Sequence, residues 1–237
     1  MLGENLSFAA SEAYKLLRAN LMFALPDEQR CRVVGMTSSM RGEGKSTTTV
    51  NLGYSLAQAG KRVLIIEADM RMPMISKRLE LKSTPGLSNL LAGLNDSEEV
   101  LQSSGLHDNL WVISAGDIPP NPSELLGSDQ MRAAIEMLCK GFDFILLDLP
   151  PVTTVSDPLV ASKLVNGMIL VVRQNYSNRR SLSETVRQLR FANAKLLGFV
   201  LTGADISAKG GEWYRKRFGY DYSYSNSKSQ NGGEKNP

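Results

Sequence analysis

The sequence predicts an α/β fold, in which helices cover both faces of a doubly wound and mostly parallel sheet. Short apolar runs rich in β-branched residues alternate with longer amphipathic runs. That pattern is typical of parallel strands buried between two layers of helices. The chain has 237 residues, of which 42% are hydrophobic and 22% charged. These values are typical of globular proteins, and the length suits one α/β domain better than two.

Six apolar runs are the predicted strands: 32–38, 62–68, 110–116, 142–149, 167–173 and 195–203. Helices fit between them at 45–60, 86–93, 124–140, 157–165 and 179–193. Ahead of the first strand we expect an amphipathic helix over 11–25, with Ser11 as its N-cap. Right-handed crossovers between parallel strands place a ligand beyond the carboxyl ends of the strands.

Charge and composition exclude several classes of function. From Lys209 onward there are six basic and three acidic residues, so this segment carries the whole net charge of +3. A neutral body argues against a nucleic-acid partner, because phosphate backbones need clustered Lys and Arg. Cys31 and Cys139 lack metal-ligand spacing and are expected to be buried thiols. No apolar run approaches the ~20 residues of a membrane span.

The stretch "SSMRGEGKSTTTVNLG" at 38–53 connects a predicted strand to a predicted helix. Gly42 and Gly44 allow the backbone to curl around an anion, the helix N-terminus adds positive potential, and Lys45 adds a full charge. The pattern G-x-x-x-x-G-K-[ST] is met except at Ser39, which replaces the first glycine. The stretch therefore predicts the phosphate-binding loop of a P-loop NTPase, with Ser46 placed to bind Mg²⁺.

Acidic residues end two other predicted strands. Glu67 and Asp69 follow "VLII", and Asp148 follows "FILL". Because the carboxyl ends of parallel strands share one edge of the sheet, these acids should lie beside the phosphate-binding loop. Carboxylate oxygens are the ligands that Mg²⁺ prefers, and phosphoryl transfer needs its charge.

Four stretches together resemble the bacterial tyrosine kinases of capsular and exopolysaccharide synthesis: "RGEGKST", "VLIIEADMRMP", "IPPNPSELL" and "FDFILLDLPP". The resemblance implies Mg-ATP as the cofactor and a catalytic group of Lys45, Glu67, Asp69 and Asp148. It assigns Mg²⁺ to Ser46, Asp69 and Asp148, with Glu67 and Asp69 sharing the roles of ligand and base. The nucleotide-binding residues would be Arg41, Gly42, Glu43, Gly44, Lys45, Ser46 and Thr47.

The resemblance also implies a tyrosine cluster that the kinase phosphorylates on itself. Four of the seven tyrosines lie near the C-terminus. The expected sites are Tyr214, Tyr220, Tyr222 and Tyr224. We expect one kinase domain over 1–224, with a tyrosine-rich segment at 214–224, followed by a disordered tail at 225–237 that has no apolar residue to bury.

Partners follow from the same resemblance. Separate kinase chains of this type are cytoplasmic and are recruited to the inner face of the membrane by a membrane-spanning adaptor. The other expected partners are a cognate tyrosine phosphatase, protein substrates of polysaccharide synthesis and further copies of the chain in a ring such as an octamer. The ring motif E-x-x-R-x-x-R appears here as Glu12, Lys15 and Arg18. Lys15 keeps the charge of arginine but not its planar fork.

Glu67 is the second departure from the family, which has aspartate at this position. If the longer side chain is a compromise, Glu67→Asp should keep or raise the rate, and Glu67→Gln should lower it at least ~10-fold.

Two other functions stay open on the sequence alone. Partition and cell-division positioning ATPases share the fold and both acidic motifs, but their loop carries a lysine where this chain has Met40. A nucleotide-binding scaffold without catalysis is the other alternative, because of Glu67.

Overall fold

The computed structural model describes residues 2–25 and 30–204. One compact unit spans Met1–Thr202, and a second spans Gly203–Pro237, of which residues 203 and 204 are described. The tyrosine-rich segment and the tail therefore lie outside the described residues, and the predicted domain over 1–224 stays a prediction.

Seven strands of the described residues form one sheet in the order β3-β4-β2-β5-β1-β6-β7. Their bounds are β1 Arg32–Ser38, β2 Val63–Glu67, β3 Leu101–Ser103, β4 Leu110–Ile113, β5 Phe144–Asp148, β6 Gly167–Arg173 and β7 Leu196–Thr202. All neighbours pair in parallel except β3, which runs antiparallel to β4 at one edge. The predicted doubly wound α/β architecture is thus confirmed.

Helices cover both faces of this sheet. They are α1 Phe8–Ala24, α2 Lys45–Gln58, α3 Ile75–Arg78, α4 Leu87–Leu91, α5 Ser97–Val100, α6 Pro122–Leu126, α7 Asp129–Leu138, α8 Asp157–Ala161 and α9 Arg179–Phe191. Side chains of β2 alternate between the two cores, with Leu64 and Ile66 in one and Val63 and Ile65 in the other. This two-sided burial explains the continuous apolar runs of the central strands.

The first long helix begins earlier than the sequence predicts. Helix α1 starts at Phe8, and the Ser7 hydroxyl accepts a hydrogen bond from the Ala10 amide at 3.3 Å. The expected N-cap, Ser11, is wrong: it lies inside the helix, and its amide donates to the Ser7 carbonyl at 2.9 Å. Ser7 has the extended backbone that an N-cap needs, which Ser11 lacks.

The helix predicted at 124–140 is divided into α6 and α7. Gly127 ends α6, and the Ser128 hydroxyl then caps α7 by accepting from the Met131 amide at 3.1 Å. The sequence also missed β3, α3 and α5, which are only three or four residues long. Runs this short contain too few residues to show a period.

Among the described residues, no helix combines the length and the apolar character needed to cross a membrane.

Candidate active site

The loop between β1 and α2 has the backbone that phosphate binding requires. Gly42 and Gly44 adopt φ of 81° and 92°, values that favour glycine, and Gly44 is the N-cap of α2. Lys45 is the first residue of α2, so its amide and those that follow lie at the positive end of the helix. The guanidinium of Arg173 donates to the Gly42 carbonyl at 3.0 Å and braces the loop from β6.

Glu43 braces the same loop from within. Its carboxylate is buried, and it accepts from the Met40 amide at 2.8 Å and from the Ser177 hydroxyl. The Thr202 hydroxyl donates to the Glu43 carbonyl at 2.6 Å. Glu43 therefore reaches the loop's own backbone and the segment after β6, whereas the sequence assigned it only to nucleotide binding.

Four predicted residues form one polar cluster at the carboxyl edge of the sheet. Lys45 Nζ lies 3.0 Å from Asp148 Oδ1 and 3.7 Å from Asp69 Oδ2. The Ser46 hydroxyl donates to Asp148 Oδ2 at 2.6 Å. The Thr49 hydroxyl adds a longer contact of 3.3 Å to Asp148 Oδ1. One buried carboxylate thus contacts both the lysine and the serine of the phosphate-binding loop.

Asp69 lies in the loop after β2 and is mostly buried. Burial raises its pKa above the ordinary value; the nearby Lys45 ammonium opposes this shift, and the Asp148 carboxylate adds to it. Its Oδ1 also accepts from the Met72 amide at 3.2 Å. A carboxylate that binds protons more readily than usual, beside a lysine, is suited to accept one.

Glu67 does not join this cluster. It pairs in register with Asp148 across β2 and β5, and it is fully buried. Its carboxylate accepts hydrogen bonds from three backbone amides at the start of α3, those of Met74, Ile75 and Ser76.

An ion pair between the exposed Arg71 and the buried Asp157, which the sequence did not reveal, supports the loop after β2. Arg71 donates through Nε and Nη2 to both oxygens of Asp157, at 3.0 and 3.2 Å, and this pairing raises the pKa of Arg71. Ser123, within "IPPNPSELL", also donates to Asp157. The sequence offers only one sign of this role, namely that Asp157 is an acid at the start of the helix predicted at 157–165.

The remaining predicted residues lie elsewhere. Arg41 is exposed, and the Thr47 hydroxyl accepts from Arg78 at 2.7 Å. Glu12 and Lys15 form an ion pair of 2.7 Å on the surface of α1. Arg18 donates instead to the Ser55 carbonyl of α2, at 2.5 Å.

Comparison with known proteins decides the family. Residues 31–196 match the family described as the AAA domain. Tyrosine-protein kinase YwqD of Bacillus subtilis is 36% identical over 197 residues, which are 83% of this chain and 82% of the relative. The chain belongs to the bacterial tyrosine kinases. The putative tyrosine-protein kinase CapB of Staphylococcus aureus is 33% identical over 86% of this chain and 89% of that protein.

Solved structures agree with this membership. The chimerical protein CapA2B2 superimposes with a TM-score of 0.78 at 35% identity, covering 84% of this chain and 86% of that one. The kinase domain of the Escherichia coli tyrosine kinase ETK gives 0.76 at 30% identity, covering 84% and 79%. The cell-division ATPase MinD of Pyrococcus furiosus gives 0.60 at 28%, covering 72% and 71%. The chain is thus a protein-tyrosine kinase on a P-loop fold, which implies nucleotide binding.

Proposed function

We propose that this kinase transfers the terminal phosphoryl group of ATP to its own tyrosines Tyr214, Tyr220, Tyr222 and Tyr224, and thereby regulates capsular or exopolysaccharide synthesis. The observation that carries the proposal is the cluster of Lys45, Ser46, Asp69 and Asp148 beside the phosphate-binding loop. It joins a phosphate-binding cation, two hard oxygen ligands and a buried acid within one site.

The loop binds the nucleotide phosphates. The backbone amides of Arg41–Thr47 and the ammonium of Lys45 supply the positive groups, with Gly42 and Gly44 allowing the curl. In the structure Lys45 contacts Asp148 and Asp69. We therefore expect its ammonium to exchange part of these contacts for phosphate oxygens when ATP binds.

The donors present fit a magnesium ion. Ser46 and Asp148 offer oxygen atoms within 2.6 Å of one another, and the Asp69 carboxylate lies 3.7 Å from Lys45 Nζ. Within residues 2–25 and 30–204 no group of three or more His, Cys, Asp or Glu side chains could hold a metal alone. Phosphate oxygens and water would then complete the shell, as is common for Mg²⁺. When bound, the ion neutralises charge on the phosphates.

We assign to Asp69 the role of accepting the proton of the tyrosine hydroxyl. A phenol with a pKa near ~10 keeps its proton at neutral pH, so a nearby carboxylate assists its transfer. Asp69 lies 3.7 Å from Lys45, whereas the Glu67 carboxylate is occupied by backbone amides. Of the two acids after β2, Asp69 is the better placed.

We propose that the segment at 214–224 is phosphorylated mainly in trans, by a neighbouring subunit. This would occur within a ring recruited to the membrane by an adaptor and reset by a tyrosine phosphatase. Lys15 is exposed and Glu12 partly exposed for this assembly, whereas the Arg18 guanidinium contacts α2. Each phosphate adds roughly −1.5 to −2 charges. The charged segment would leave the acidic site and favour dissociation of the ring.

The experiment is to incubate the full chain with Mg-ATP and to measure phosphotyrosine and free phosphate together. Wild type should accumulate phosphotyrosine, and Lys45→Met should lose it while keeping its melting temperature. A switch ATPase, the class that includes MinD, would release phosphate without phosphotyrosine, and a scaffold would do neither. A Lys45→Met protein that phosphorylates itself at the normal rate would overturn the assignment of the loop.

A further inference from the structure

Glu67 ends β2 on the same register level as Asp148, yet the two buried carboxylates have different partners. Asp148 contacts Lys45 and Ser46. Glu67 Oε1 accepts from the Met74 amide at 2.5 Å and from the Ile75 amide, and Oε2 accepts from the Ser76 amide at 3.3 Å. The two acids therefore differ in the groups that neutralise them.

The three amides bound by Glu67 belong to the start of a short helix. Helix α3 has four residues, and its N-cap Met74 offers no side-chain hydrogen bond to the first turn. Helix N-termini leave their first amides without partners inside the helix. Glu67 provides this cap from a distant position in the chain, and the amides in return compensate the burial of its charge.

The segment that Glu67 anchors carries active-site groups at both ends. Asp69 lies two residues after Glu67 and faces Lys45. At the other end of the segment, Arg78 donates to the Thr47 hydroxyl at 2.7 Å, next to Ser46. Fixing residues 74–76 therefore fixes the two ends of a loop that borders the phosphate-binding helix.

The chemistry of the contacts argues against a reacting role for Glu67. A carboxylate has about four acceptor positions, and three amides of the described chain already use it. Turning it toward a metal or a phenol would leave buried amides without partners, which is costly. The extra methylene, absent from aspartate, extends the reach of the carboxylate to these amides.

We infer that Glu67 is a positioning residue, whose carboxylate holds residues 74–76 and so places Asp69 and the Arg78–Thr47 contact for phosphoryl transfer. The inference rests on the proposed kinase function and deepens it. It reverses the order of variants expected from the sequence, because length matters more than charge at this position.

The test compares Glu67→Gln with Glu67→Asp. Gln keeps the length and one carbonyl oxygen for the Met74 and Ile75 amides and loses only the longer contact to the Ser76 amide, at 3.3 Å, so its phosphorylation rate should stay within about threefold of wild type. Asp is too short, and a displacement near ~1 Å should lower the rate at least about tenfold. The opposite order, with Asp active and Gln reduced about 100-fold, would overturn the inference in favour of a reacting carboxylate.

Hydrogen–deuterium exchange of the amides at 74–76 provides a readout that needs no activity. Exchange at Met74 and Ile75 should rise in Glu67→Asp and stay near wild type in Glu67→Gln, which keeps their acceptor and removes only that of Ser76. Melting temperatures confirm that both variants fold. Unchanged exchange in Glu67→Asp would overturn the positioning role, even if the chain proved not to phosphorylate tyrosine.

A matched control shortens another capping glutamate. Glu99 accepts from the Asp96 amide at 2.8 Å at the exposed start of α5. Glu99→Asp should leave the kinase rate and the exchange at 74–76 unchanged. An equal loss of rate in this control would show that the effect of Glu67→Asp is not specific to its position, and would overturn the inference.

Discussion

The loops after β1 and β2 both border the proposed active site, but they are held in place differently. The first is shaped by left-handed glycines and braced by Glu43, with outside support from the Arg173 guanidinium. The second contains no glycine and is held by charged side chains, through Glu67 at one point and the Arg71–Asp157 pair at another. From this difference we expect the first loop to determine nucleotide affinity and the second to determine the rate of phosphoryl transfer.

The largest effect that we expect from a substitution in the second loop is that of Asp69→Asn. It removes the proposed base while keeping the shape, and should lower the rate of tyrosine phosphorylation about 100-fold. Nucleotide affinity, measured by titration with a fluorescent ATP analogue, should change little. A loss confined to affinity would contradict the division between the loops.

A smaller effect, on nucleotide affinity instead of on the rate, is expected from Glu43→Gln in the first loop. Its buried carboxylate accepts from the Met40 amide and the Ser177 hydroxyl, and an amide nitrogen in its place cannot accept. Loosening the loop should weaken ATP binding about tenfold, with a rate at saturating ATP near wild type.

Ser177→Ala provides the matched control for Glu43→Gln. It removes one hydrogen bond but leaves the Met40 contact, so affinity should fall about threefold or less. A larger loss in Ser177→Ala than in Glu43→Gln would show that the carboxylate is not the main brace.

The sequence was informative where a pattern spans many residues. Strands β1 and β6 have the predicted bounds, because polar residues flank an apolar run in each: Arg32 and Ser38 in β1, Asn166 and Arg173 around β6. The loop at 38–46 and the acids Asp69 and Asp148 were predicted to meet, since parallel strands bring their carboxyl ends to one edge. This part of the site could be predicted from the spacing of the residues and from the rule that ligands bind beyond the carboxyl ends of parallel strands.

The orientation of individual side chains could not be predicted in the same way. Glu67 and Asp148 end neighbouring strands with the same type of group, and they differ only in their contacts: Glu67 binds the start of α3, whereas Asp148 binds Lys45 and Ser46. The burial of Asp157 depends on Arg71, which lies 86 residues away in the chain. Pairings over such separations leave no period in the sequence. The contacts that hold the second loop could therefore be identified only from the structure.

The central claim is that the chain phosphorylates its own tyrosines. It is tested most directly by following the labelled phosphate of ATP to individual tyrosines or to free phosphate. Full-length wild type and a variant with Tyr214, Tyr220, Tyr222 and Tyr224 changed to Phe are incubated with Mg-ATP, and phosphopeptides and free phosphate are measured by mass spectrometry and scintillation counting. The account predicts label on these four tyrosines in wild type and its loss in the variant. Label found only as free phosphate, or retained fully by the variant, would contradict it.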